Sequence, residues 1–203
     1  MGITPREQWG KPGVMPPDGL FANGNRELQE IIESSRRSNT EIPTIGLTGG
    51  DLWRTLGGKS HHDRLVKGDA QLFSVDLGAA LIDGHIYWFA SHLMIRTRIW
   101  TGRTWVAANA SHYGNWNLAP RAHPGDGLLD ILDLNLGFSD RLKARSRVQA
   151  GNHVPHPDVR YQRRSAAQIE LKKERDVWID GKKITKARQI SVRMEPDALR
   201  VML

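Results

Sequence analysis

The sequence predicts an α+β protein, with a short α/β unit over residues 1–58 packed on a C-terminal antiparallel, β-sandwich-like domain over 59–203. Three observations carry this. A helical period of apolar residues occupies one stretch near the N-terminus, strand-like runs follow one another from Leu72 onward, and one short helical pattern, Ser139 to Arg147, interrupts them.

In the first unit, Gly19-Leu20-Phe21-Ala22 is a short apolar run between Pro16-Pro17-Asp18 and the polar turn Asn23-Gly24-Asn25, so it reads as a strand entering a helix. From Asn25, Leu28, Ile31 and Ile32 recur at helical spacing, with Glu27 and Glu30 early and Arg36 and Arg37 late, as the helix macrodipole favours. A helix over 25–37 follows. Pro43 to Leu47 reads as a second buried strand, and Thr48-Gly49-Gly50-Asp51 leads into a helical turn, Leu52 to Leu56, closed by Gly57-Gly58. The pattern changes between Gly57 and Lys67, where the boundary is placed. Beyond it, Leu72–Leu77 and Ala79–Ile82 are strands, and Asp83-Gly84 is a hairpin turn. Further strands are expected at 85–95, 105–111, 128–134, 159–162, 168–171, 176–179, 189–194 and 199–203. In the 139–147 helix Ser139 is the expected cap and Leu142 the apolar anchor. Trp9-Gly10-Lys11-Pro12-Gly13 carries no periodic signal and receives no role.

Composition narrows the chemistry. With 39% apolar and 25% charged residues in 203, the chain is an ordinary globular protein rather than a disordered one. It has no cysteine, which excludes disulfides, thiolate metal sites and cysteine nucleophiles. The N-terminal stretch lacks an apolar signal region and no long apolar run occurs, so a cytoplasmic protein is expected. A net charge of +7 favours an anionic partner: a phosphate, a nucleotide, a lipid or nucleic acid.

Several motifs fail on inspection. Gly58-Lys59-Ser60 resembles the end of a phosphate-binding P-loop, but the glycine required five residues earlier is Trp53. His61-His62-Asp63 and His153-x-x-His156 read as surface groups in turns rather than metal ligands. Trp88-Phe89, Arg96, Arg98, Trp100, Arg103 and Trp105 interleave aromatics with arginines. Their plain reading puts rings in the core and guanidinium groups in water, and the alternatives are a nucleic-acid or membrane-surface contact. Between Arg141 and Arg175, ten Lys or Arg face three Asp or Glu, consistent with a solvated face or a phosphate-facing one.

The stretch Asn109-Ala-Ser-His-Tyr-Gly114, Pro120-Arg-Ala122, Asp126-Gly127-Leu128-Leu129-Asp130 carries more, together with Asp180-Gly181 and the closing Pro196-Asp197-Ala198-Leu199-Arg200-Val201. In order and spacing these resemble the second domain of the soluble diacylglycerol and sphingosine lipid kinases, the YegS-like family. Thr48-Gly49-Gly50-Asp51-Leu52-Trp53-Arg54-Thr55-Leu56-Gly57 is similar to a segment of that family's nucleotide-binding domain. The resemblance makes residues 1–58 a truncated nucleotide-binding domain, with Gly24, Thr48, Asp51 and Arg54 as candidate nucleotide contacts. It also implies a magnesium site formed by the His123 carbonyl, the Asp126 carboxylate and the Leu128 carbonyl, as oxygen donors suit that ion.

The departures are as informative. Where the family has Gly-Gly-Asp-Gly-Thr, this chain has Asn23-Gly24-Asn25-Arg26-Glu27, and Glu27 would repel a triphosphate. The family's catalytic glutamate falls at Lys182, a cation in place of a proton acceptor. The long lipid-associated insertion is reduced to about fifteen residues, Ser91–Trp105. The expectation is a lipid-kinase-like protein with a degenerate active site that still binds phosphate, nucleotide or lipid, with ATP doubtful and Mg2+ admissible. The alternatives are an active kinase with a relocated base or a partner-supplied ATP half, and a basic nucleic-acid or membrane-surface module. A peripheral membrane contact and a homo-oligomer stay open.

Overall fold

The computed structural model describes residues 9–58, 65, 70–154 and 157–203. Lys59, Ser60, the His61-His62-Asp63 cluster, His156 and most of the expected boundary lie outside them. Thirteen strands, three α-helices and one 3-10 turn form the fold among the described residues.

The N-terminal β-α-β-α unit forms as the sequence predicts. Strand β2 (Leu20–Ala22) leads into α1 (Asn25–Arg37), then β3 (Ile45–Leu47) and the short helix α2 (Gly50–Thr55). Helix α1 turns Leu28 and Ile32 onto the sheet, where they meet Ile45, Leu47, Val75 and Val201 in one buried cluster. Strands β2 and β3 run parallel, and β3 pairs in turn with the last residues of the final strand, Ile45 opposite Val201. The α/β unit is therefore hydrogen-bonded into the main sheet as well as packed on it.

Two long strands form the spine of that sheet: β4 (Ala70–Ile82) and β13 (Lys182–Met202), antiparallel, with Ile190 opposite Ile82 and Met202 opposite Leu72. The path continues through β12 (Ala166–Ile179), β6 (His92–Ile95), β7 (Thr104–Ala108) and β10 (Leu129–Leu134) to β11 (Val159–Arg164), and β5 (His85–Phe89) pairs with β4. Phe89, Leu93, Ile95, Val177 and Ile190 fill the sandwich core. Phe89 fits because it faces Gly78, where an added Cβ would lie 2.2 Å from the ring. Both Asp-Gly turns have the positive φ pair of a type I′ hairpin: 48° and 81° at Asp83-Gly84, 46° and 86° at Asp180-Gly181.

Six expectations need correction. The 72–77 and 79–82 runs are one strand, β4, continuous through Gly78, which pairs with Met194 of β13. The 85–95 run is two strands, because Ala90 and Ser91 leave the ladder to give their amides to a distant carboxylate. The 168–171 and 176–179 runs are one strand, β12, with a register shift between Glu170 and Arg175. Likewise 189–194 and 199–203 belong to β13, which bulges between Glu195 and Leu199, at Pro196, which has no N–H to give. In helix α3 (Phe138–Arg147), Gly137 and not Ser139 precedes the first turn, no side chain caps it, and Leu142 is 57% exposed rather than an anchor. His153 is buried instead of on the surface, its Nε2 sharing a hydrogen bond with the Leu118 carbonyl at 3.0 Å.

Three strands and the 3-10 turn Val148–Ala150 had no sequence expectation. Strand β1 (Lys11–Gly13) pairs with β4, and Trp9 just before it packs against Phe73 and His123. Strands β8 (His112–Tyr113) and β9 (Trp116–Asn117) make a small hairpin of their own. Among the described residues, no helix is long and apolar enough to cross a membrane.

The two Asp-Gly turns make an internal comparison. Asp180 is buried and accepts three backbone N–H groups, whereas Asp83 is exposed. Asp83→Ala should cost about 1 kcal/mol, for its left-handed backbone alone, and Asp180→Ala about 3–5 kcal/mol, because buried amides lose a charged acceptor. Urea unfolding of the two variants measures the difference.

Candidate functional site

Parallel strands β2 and β3 end side by side, and the loops that leave them converge at their carboxyl ends, where open α/β sheets hold ligands. The first loop is Asn23-Gly24-Asn25 and the second Thr48-Gly49-Gly50-Asp51. The fold brings the Gly24 loop and the Thr48–Asp51 loop into contact with each other.

The two loops clasp each other. Asn25 Nδ2 donates to Asp51 Oδ2 and the Asp51 amide donates to Asn25 Oδ1, each at 2.7 Å. Thr48 donates its hydroxyl toward Asn23 Oδ1 at 3.2 Å. The approach is close enough to need both glycines: a Cβ on Gly49 would lie 2.6 Å from the Asn23 carbonyl, and one on Gly50, at φ 98°, 2.7 Å from Asn25 Oδ1. At the start of α1 the Asn23 amide donates to Glu27 Oε2 at 2.7 Å. Glu27 thereby supplies, from one turn inside its own helix, the negative charge that a helix N-terminus attracts.

Asp51 is almost fully buried and joins this unit to the sandwich. Its Oδ1 accepts the Gly114 amide of the β8–β9 turn at 2.7 Å, and its Oδ2 lies 3.7 Å from Nδ1 of buried His92. Burial pushes the His92 imidazole down to about 4, although the Asp51 charge pulls the other way. Behind His92 lies Asp180, whose carboxylate accepts the Ala90, Ser91 and His92 amides, each at 2.9 Å. Burial raises its carboxyl to about 6, against the lowering effect of those three amides. The turn reading of Asp180-Gly181 holds, and the side chain also fixes the strand break that aims His92 at Asp51. Arg54 and Lys182 are exposed and hold no part of this cluster.

The candidate magnesium residues lie in the loop before β10. Asp126 accepts the Leu128 amide at Oδ1, at 3.0 Å, and the Arg163 guanidinium at Oδ2, and the His123 carbonyl accepts the Gly125 amide at 2.8 Å. In this arrangement the residues offer an ion no free carboxylate, and Arg163 already supplies positive charge. Among the described residues, no group of three or more His, Asp or Glu is placed to hold a metal.

A second concavity lies between α3 and the end of the sandwich. It encloses about 240 Å³ and is lined by Trp100, Trp116, Leu134, Leu136 and Val148 among others. Arg141 pins its edge, donating from Nε to the Leu136 carbonyl at 2.9 Å and from its terminal nitrogens to the Trp100 and Gly102 carbonyls. The interleaved stretch sorts differently from its plain reading. Trp105 and Phe89 are core, but Arg96 is buried too, its guanidinium 4.0 Å from the Trp178 ring and 4.6 Å from Trp100. Sequence reasoning missed His92 and this cleft. Its available signal was Phe138, Leu142 and Arg145 at helical spacing on one face of α3.

Residues 82–203 match the model of a family described as the YegS C-terminal NAD kinase beta sandwich-like domain. A protein from Bacillus anthracis str. Sterne assigned as a diacylglycerol kinase is similar in structure, with a TM-score of 0.69, 16% identity, and coverage of 90% of this chain and 75% of its own. A diacylglycerol kinase from the same strain gives a TM-score of 0.63 at 17% identity, covering 90% and 74% respectively. No curated protein shows significant similarity to the chain. At such identities the structural likeness is one of fold.

The buried pair predicts opposing pH slopes. Between its usual range and about 6, native Asp180 keeps a proton that the unfolded chain has released, so its contribution to stability falls as pH rises. Between about 4 and 6.5, the unfolded chain holds a proton on His92 that the native state lacks, so that contribution rises with pH. The two offset each other in the parent. Relative to the parent, the stability of Asp180→Asn should climb more steeply across this window and that of His92→Gln should decline, as urea unfolding at stepped pH would read.

Proposed function

Because the chain belongs to the family of the YegS C-terminal NAD kinase beta sandwich-like domain and has a lipid-kinase-like fold, we propose that it binds a lipid and does not transfer phosphoryl from ATP. The observation that carries this reading is Glu27. A phosphate at a helix start needs free amides and a positive local field. Here the Asn23 amide is spent on the Glu27 carboxylate at 2.7 Å. A phosphate about 4 Å from that carboxylate would be repelled by about 4 kcal/mol at an effective dielectric of about 20. Asn25 closes the remaining space by bonding Asp51 from both ends of its amide.

Loss of transfer is further supported by Lys182, an exposed donor at the position where the family resemblance puts a proton acceptor. Arg163 on Asp126 supports a reading without magnesium there. Lipid binding is supported by the α3 cleft, whose apolar walls and size, about 240 Å³, suit an alkyl chain better than a nucleotide. The anionic partner expected from the net charge is then a lipid headgroup rather than a free nucleotide.

Two measurements test the reading. With radiolabelled ATP, magnesium and diacylglycerol, neither the parent nor Lys182→Glu should transfer label, because a base cannot act on a phosphate that is not positioned. Transfer at about one turnover per second would overturn it. Ala144→Trp, which fills the cleft from α3, should weaken uptake of monomeric dioctanoylglycerol at least about tenfold, equivalent to about 1.4 kcal/mol. Unchanged uptake would remove the cleft as the lipid site.

A further inference from the structure

Three large apolar side chains stand in water around the mouth of the α3 cleft: Ile99, 76% exposed, Phe138, 79%, and Leu142, 57%. They come from two segments far apart in sequence, the loop after β6 and helix α3. Helix α3 buries none of its residues fully, and of its apolar side chains Ala144 packs against the core while Phe138 and Leu142 stand exposed. A helix that only needed to be soluble would place polar residues here.

Charge surrounds the same patch. Segments 96–103 and 138–147 together carry seven cations, Arg96, Arg98, Arg103, Arg141, Lys143, Arg145 and Arg147, against one carboxylate, Asp140. Arg103 is paired with Asp133 and Lys143 with Asp140, while Arg96 and Arg141 are committed inside the fold. Arg98 and Arg145 are exposed and make no ion pair among the described residues. The tryptophans are not part of the exposed patch, since Trp105 is core and the Trp100 ring rests against Arg96 and Trp116.

We propose that Ile99, Phe138 and Leu142, flanked by Arg98 and Arg145, dock the mouth of the cleft onto an anionic lipid bilayer. Apolar side chains entering the headgroup boundary beside unpaired guanidinium groups are the combination that binds such surfaces. A protein partner would require a shaped counterpart for which nothing here is preformed. A bilayer requires only that apolar and cationic groups share one face. Docking there also opens the cleft toward the source of its ligand, and in that respect the proposal rests on the cleft holding lipid.

The test uses the full chain and vesicle co-sedimentation, with phosphatidylcholine alone or with about one third phosphatidylglycerol. The parent should bind the anionic vesicles at least about tenfold more tightly than the neutral ones, and binding should weaken between about 50 and 200 mM salt. The triple variant Ile99→Asp, Phe138→Asp, Leu142→Asp should lose at least about tenfold in vesicle binding with an unchanged melting temperature, because these exposed side chains carry no core packing. Arg98→Glu, at a position that does not line the cleft, should weaken vesicle binding yet still take up monomeric dioctanoylglycerol, and Ala144→Trp should still dock, which separates failure of docking from failure of the cleft. Equal sedimentation of the triple variant and the parent would overturn the proposal, as would equal binding to both vesicles. Loss of oligonucleotide binding but not vesicle binding in Arg98→Glu, Arg145→Glu would make this a nucleic-acid face and overturn it too.

Discussion

The carboxylate of Asp180 is the constraint around which the molecule is arranged. It sits in the turn between β12 and β13 and reaches some ninety residues back to accept the amides of Ala90, Ser91 and His92. Three amides removed from the sheet ladder would be costly without an acceptor, and one ionisable oxygen pair satisfies them together. The break is held from its other side by Asn109, whose amide donates to the Ala90 and Asp76 carbonyls. The strand break at Ala90–Ser91 then places His92 inside the fold, against Asp51.

From there the two halves become one structure. Asp51 is held by Asn25 in the α/β unit and by Gly114 in the sandwich, so the loop that resembles a nucleotide segment serves as a structural joint. The parallel pairing of β3 with the end of β13 reinforces the joint through backbone. Within this cluster the Asp51 and Asp180 carboxylates are bonded to groups of the fold, while both ring nitrogens of His92 and the Ser91 hydroxyl are buried without a hydrogen-bond partner.

The open part of the molecule lies at the far end of the sandwich, where α3 covers the sheet incompletely. Helix α3 is anchored through Arg141, which is bonded to three carbonyls, rather than through buried apolar side chains. That kind of attachment leaves an apolar cleft beneath the helix and apolar residues above it. The polar joint and the apolar cleft are separate features, and the cleft lies away from the loops that the sequence draws attention to.

The sequence by itself determined what depends on near neighbours. The 3.6-residue period fixed α1 over its observed range, the Asp-Gly pairs fixed both type I′ turns, and the change to a strand period at Leu72 fixed the class. The ordered motifs from Asn109 to Val201 were enough to give the family resemblance. Contacts between distant segments were decided only in three dimensions. The break at Ala90 and Ser91 depends on Asp180, the burial of Arg96 depends on Trp178, and the clasp between the Asn23–Glu27 loop and the Thr48–Asp51 loop depends on Asn25 meeting Asp51. The bulges that join two apparent strands into β12, and two more into β13, are likewise set by the partner strand. In each case the energy of the feature is an interaction between groups far apart along the chain. Local periodicity reports which face a residue shares with its neighbours, but it holds no record of which distant group will arrive there.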